Sequence, residues 1–104
     1  MNPMMYIRTT LEIPGAGTAI HVAELEEINA EACRMVRLIA LAPNDAVVGL
    51  ATPHRAVGDA QAPQEIVPHP DTYDQFEDIT AEVIDAAQFH ALWSEAVALF
   101  PAFG

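Results

Sequence analysis

Ala32-Cys33-Arg34-Met35-Val36-Arg37-Leu38-Ile39-Ala40-Leu41 can be read in two ways, and the choice between them decides the fold. Taken with its neighbours from Ala23 to Ala42, the apolar positions Leu25, Ile28, Ala32, Met35, Ile39 and Ala42 lie along one helical stripe, with Glu31 and Arg34 as an exposed pair. Taken alone, Met35 to Leu41 is apolar everywhere except Arg37. Val36, Leu38 and Ala40 would then face one side of a strand, and Arg37, Ile39 and Leu41 the other. Pro43-Asn44-Asp45 is a turn, and Ala46 to Ala51 is β-branched enough to return as a partner strand, with Gly49 at a bulge. Local spacing leaves both readings open.

Working outward, Met1 to Met5 is expected to fray before a strand that opens at Tyr6 and runs to Glu12 or Ile13. Pro14-Gly15-Ala16-Gly17 forces a turn, and Ala19 to Glu24 suits a return strand. The Gly-Ala-Gly within that turn lacks the third glycine and the strand-to-helix setting of a phosphate loop. Thr52 to Asp78 carries Pro53, Pro63, Pro68 and Pro70 among acidic residues, and reads as a long surface loop with one short extended piece at Glu65 to Val67. Ile79 to Ile84 is a short strand or extended lead-in to the last element.

That element is a helix from Asp85 to Phe100, stopped by Pro101. Asp85 is a good N-cap, Gln88 completes a capping box, and Ile84 with Phe89 forms a hydrophobic staple. Phe89, Leu92, Trp93, Ala96, Val97 and Phe100 recur on one face, which needs a second layer to bury it.

The disputed segment is decided by a resemblance. Tyr6-Ile7-Arg8, Ala23-Glu24-Leu25 before a polar turn, Arg34-Met35-Val36-Arg37-Leu38, Val48-Gly49-Leu50-Ala51, and Ile84 to Trp93 resemble, in that order, a family of small bacterial domains of unknown function. Members show a Tyr-Leu-Lys-Val start, an Arg-Lys-Val-Glu-Val strand, a Gly-Tyr-Ala strand and a Glu-Phe-x-x-x-Trp helix. This chain departs from that pattern at Met35 and Leu50. No activity comes with the resemblance; what it implies is that Ala32 to Leu41 is a strand of an antiparallel sheet. The resulting expectation is an α+β domain spanning residues 1–104, an antiparallel sheet of four or five strands with the C-terminal helix packed on one face.

Fifteen acidic residues against four arginines and no lysine give a formal charge of -11. Such a surface repels phosphate backbones and anionic membranes, so a basic protein is the expected partner, with neither nucleic acid nor membrane bound directly. The single cysteine, Cys33, allows no internal disulfide and is read as a small buried residue of a cytoplasmic protein. His21, His54, His69 and His90 have no zinc spacing with one another or with Cys33, and Asp71, Asp74, Glu77 and Asp78 lack the alternation and central glycine of a calcium loop. Neither metal nor cofactor is expected, and no carboxylate pair stands out for acid-base catalysis.

The leading expectation is a non-catalytic, acidic protein-binding module of the inhibitor, immunity or antitoxin type. Its partner-binding residues would be Asp71, Tyr73, Asp74, Phe76, Glu77 and Asp78: carboxylates for encounter, and aromatic rings on a proline-stiffened loop for anchorage. The alternatives are a small enzyme or ligand-binding protein with a pocket between sheet and helix, and an accessory subunit of a larger assembly.

Overall fold

Asn29 settles the disputed segment. Its carboxamide oxygen accepts the N–H groups of Glu31 at 2.8 Å and Ala32 at 2.9 Å, a local bond that competes with helix formation. The chain folds back there, joining strand β2 (Gly17–Glu27) to strand β3 (Ala32–Leu41) as an antiparallel pair. Expected strand and observed strand coincide from Ala32 to Leu41, and the helical stripe does not form.

The computed structural model describes residues 3–15, 17–75, 79–101 and 103, and for Ile13, Asp74 and Gln75 the backbone alone. Strand β1 (Met4–Ile13) precedes β2 and begins before the expected Tyr6, because Met4 and Met5 pair with Glu26 and Leu25. After β3 come β4 (Val47–Thr52), β5 (Arg55–Gly58), β6 (Ile66–Pro68), a 3-10 turn (Pro70–Gln75), β7 (Ile79–Val83) and helix α1 (Ala86–Leu99). The sheet runs β5-β4-β3-β2-β1-β7, with β6 added beside β3.

The fold is α+β with the C-terminal helix packed on an antiparallel sheet, but that sheet has seven strands rather than four or five. Both additional strands come from Thr52 to Asp78, the stretch read as a surface loop. Strand β5 is a hairpin return of β4. Strand β6 pairs with Ala32 to Arg34, while β4 pairs only from Leu38 to Leu41. A register shift, with Val36 as the extra residue of β3 against β2, lies between those two halves. A second shift sets Val48 as the extra residue of β4, beside Gly49. Pro68 is tolerated because it ends a strand at the margin of the sheet.

Cross-strand rows show why the excursion cannot be loose. Toward α1 lie Tyr6, Glu24 and Arg37 in one row and Val22 with Ile39 in the next, joining Ile20, Leu41, Leu50, Phe89, Ala96 and Phe103 in one core. The opposite face carries Ile7, Ala23, Leu38 and Ala51 in a row, with Leu25, Cys33 and Met35, and this second core is also buried. Ala60, Val67 and Tyr73, all from the proline-rich stretch, pack over it. Gly49 permits the close approach, since a Cβ there would lie 2.5 Å from the Ala60 nitrogen.

The helix is capped as expected. Asp85 Oδ1 accepts the Gln88 N–H at 2.7 Å, and Gln88 Oε1 accepts the Asp85 N–H at 3.0 Å. Phe89, fully buried, stacks near-parallel on Trp93 at 6.2 Å and leans on Tyr6 at 5.3 Å. Phe89→Ala is therefore expected to cost about 3–5 kcal/mol, as for other buried aromatics. Asp85→Ala is expected to cost about 1 kcal/mol through the lost cap. Thermal melts check both; a Phe89→Ala protein melting with wild type would place the stripe outside the core.

Candidate functional site

Of the residues expected to meet a partner, the structure brings Asp71 and Tyr73 together. Both lie on the 3-10 turn and, with Pro70, they face Ile79, Thr80 and Ala81 of β7 across an open cleft of about 420 Å³. The Asp71 carboxylate is 84% exposed. The Tyr73 ring instead packs on the second core, where burial pushes its hydroxyl above the ordinary tyrosine value. Tyr73 thus pins the turn to the sheet more than it presents a free ring. Asp74 belongs to the same turn; Phe76, Glu77 and Asp78 lie outside the described residues.

The turn is held by a residue that sequence spacing did not single out for this role. His69 is 2% exposed, and hydrogen bonds converge on it from several directions. Its N–H donates to the Glu31 carbonyl at 3.0 Å, and its own carbonyl accepts from the Thr72 N–H at 2.9 Å and the Thr72 hydroxyl at 2.7 Å. Nδ1 accepts the Asp71 N–H at 3.1 Å, which leaves Nε2 to carry the ring proton and donate to Glu27 Oε2 at 2.6 Å. Glu27 lies 42 residues from His69, so no sequence spacing could reveal the pair. With both nitrogens occupied and the ring enclosed, His69 positions the turn and is not offered to a substrate.

Cys33 stands opposite Glu27 in the β2–β3 register and is fully buried. Burial, followed by the Glu27 and Asp71 carboxylates, pushes its thiol upward and keeps it in the unreactive protonated form. Among the described residues, no three His, Cys, Asp or Glu side chains converge as a metal-ligand set.

The arginines all meet groups of the protein's own, Arg37 beneath the helix and Arg34 and Arg55 at the surface. Arg8 meets Asp45 at 2.6 Å, Arg34 meets Glu26 at 3.6 Å, and Arg37 makes a two-pronged bond to Glu24 at 2.5 and 2.9 Å. Arg55 donates to the Phe103 carbonyl at 3.2 Å and lies over that ring. The Arg37–Glu24 pair sits under the helix, its guanidinium 5.0 Å from the Phe89 centroid and 4.8 Å from that of Trp93. Tyr6 reaches the same carboxylate. Burial first, then that hydrogen bond and the Glu24 charge, raises the Tyr6 hydroxyl. For Glu24, burial pushes the carboxyl upward, but the hydrogen bond and charge of Arg37 and the hydrogen bond from Tyr6 together hold it below its ordinary value.

A second cleft, about 400 Å³, lies between the sheet face away from α1 and the strap at Asp59 to Pro63. Met35 and Leu38 form its floor, and His21 lines it with Asp59 and Gln61. Burial lowers the His21 pKa, which keeps the imidazole neutral near physiological pH.

No protein-family model, curated protein or solved structure matches the chain. The comparisons lend no support to the family resemblance of its strand and helix motifs. Among the described residues, no helix is long and apolar enough to cross a membrane.

Glu24 gives the cluster a pH signature. Its folded-state pKa is depressed, so its contribution to stability is complete above the ordinary carboxylate range and drains away as pH falls through the folded value. Removing Arg37 takes away two of the influences that lower the Glu24 carboxyl, so its folded-state pKa should rise in the variant, which should then lose less stability than wild type on acidification. Arg37→Met is expected to cost about 3 kcal/mol at neutral pH, the scale for breaking a buried pair. The gap between the two melting temperatures should narrow toward about pH 4; a gap constant with pH would remove Glu24 from the account.

Proposed function

We propose that this protein is a non-catalytic acidic binding module, of the inhibitor, immunity or antitoxin type, that engages a basic protein surface. The observation that carries this reading is the disposition of charge. Fifteen carboxylates stand against four arginines for a net charge of -11, and three of those arginines, Arg8, Arg34 and Arg37, already face a carboxylate of the same chain. The excess of carboxylates gives the molecule a net negative field that speeds encounter with a basic surface. Asp71, at the mouth of the β7 cleft, is the exposed representative of the acidic turn.

One observation favours a second reading, a small-ligand protein. The His21 cleft joins an apolar floor to a neutral imidazole, a carboxylate and an amide, which is the composition of a ligand site. The acidic reading draws on the charge excess of the whole chain and remains the leading proposal.

Capture of the partner from the native host, followed by stopped-flow association, tests it. Added salt should slow association more than it speeds dissociation. The combined variant Asp71→Asn, Asp74→Asn, Glu77→Gln, Asp78→Asn should lower the on-rate several-fold without lowering the melting temperature, because neutralising neighbouring like charges removes repulsion within the fold. Wild-type association by that variant at low salt would turn attention from the acidic turn to other surfaces.

A further inference from the structure

The strand order β5-β4-β3-β2-β1-β7 has two ends, and they are finished differently. Strand β5 is four residues long and closes at Gly58, whose φ is +67° and whose missing side chain makes room for the Phe100 ring. Arg55 ties the same strand to the Phe103 carbonyl. Strand β7, Ile-Thr-Ala-Glu-Val, has no proline, lysine or bulge, and of the devices that blunt an edge it carries only shortness and the single charge of Glu82. Its residues from Thr80 to Val83 are exposed, Val83 by 75%.

The register fixes which backbone groups of β7 are free. Ile84 donates its N–H to Tyr6, the residue directly opposite when the β1–β7 pairing is carried one step on. Antiparallel ladders alternate, so Glu82 and Thr80 also direct their N–H and C=O groups inward to β1. Ile79, Ala81 and Val83 direct theirs outward. None of the hydrogen bonds among the described residues joins that outer row to another segment.

We infer that the outer edge of β7 is a strand-addition site, where an extended basic segment of the partner pairs with Ala81 and Val83 and extends the sheet. This rests on the acidic-module reading above. Charge chooses the occupant: a second copy would bring another -11 to the edge, whereas a cationic segment is drawn to it. The cleft beside β7 supplies side-chain selection. Ile79 and Ala81 face it together with Tyr73 and Asp71, so the aliphatic stem of a lysine or arginine on the added strand can lie along apolar surface while its charge reaches the Asp71 carboxylate. Glu82, on the opposite face of the strand, meets the alternate residues of the segment.

Ala81→Pro is a sharp test, since it deletes an outward N–H and leaves every bond to β1 in place, whereas Ala81→Thr keeps the N–H. The probe is a synthetic peptide of about ten residues alternating lysine and valine, long enough to span an ordinary strand. A matched peptide N-methylated at alternate residues retains the charge and loses the pairing groups. In low salt, the amides of Ala81 and Val83 should shift and become protected from exchange on adding the plain peptide to the wild type. N-methylation, or Ala81→Pro with an unchanged circular dichroism spectrum, should weaken binding by roughly tenfold, the scale of a lost backbone bond in an otherwise intact interface. Ala81→Thr should bind as wild type. Equal binding of both peptides, with Ala81 and Val83 unmoved, would overturn the edge site and leave the acidic reading standing. No binding of either peptide by the wild type would overturn both.

Discussion

A sheet whose central strands are apolar on both faces cannot be covered by one helix, and the rest of this structure follows from that constraint. In β2 the buried run Val22 to Leu25, and in β3 the run Leu38 to Leu41, have no solvent-facing side. Helix α1 covers the rows through Val22, Ile39 and Leu50. Something else must cover Ala23, Leu25, Met35 and Leu38, and the chain uses its proline-rich excursion, pinned at Met35, where the N–H donates to the Glu65 carbonyl at 2.8 Å, and at His69. The burial of two cores, not one, is what a chain of this size needs to offset its conformational entropy.

The elements that could be read from sequence were those determined by neighbours. The capping box at Asp85 and Gln88, the helical stripe, the hairpin turn at Pro14 to Gly17 and the turn at Pro43 to Asp45 all depend on residues a few positions apart. The strand at Ala32 to Leu41 was ambiguous locally, and Asn29, whose short side chain bonds backward-folding amides, was the overlooked signal. The run from Met35 to Leu41, apolar except at Arg37, already implied two buried faces. Followed through, it would have required a second cover and cast doubt on reading Thr52 to Asp78 as a solvated loop. A strap lying on a sheet can be rich in proline and acidic residues when its other side faces water.

The candidate site was legible only in part, for the same reason. Asp71 stands out in the sequence as an acid on a stiff turn and does face solvent, while Tyr73 beside it serves the core. The pairs Glu27–His69 and Glu24–Arg37 depend on register, which spacing does not carry. Those pairs nonetheless shape the surface that remains: Arg37 is withdrawn beneath Phe89 and Trp93, and His69 sets the turn whose Asp71 overlooks the cleft at β7. Packing and surface charge are thereby linked at Arg37, whose place beneath the helix takes one of the four cations out of the surface.

Native-state hydrogen exchange at the Met35 and His69 amides tests the central claim most directly, because both donate to the segments that tie the excursion to the sheet. If the excursion is a second structural layer, both should exchange through the same global opening as Val22 and Ile39 in the middle of the sheet, with similar protection and the same response to mild denaturant. Exchange at loop-like rates while Val22 and Ile39 stay protected would contradict the account, and would leave the second face of the sheet without its cover.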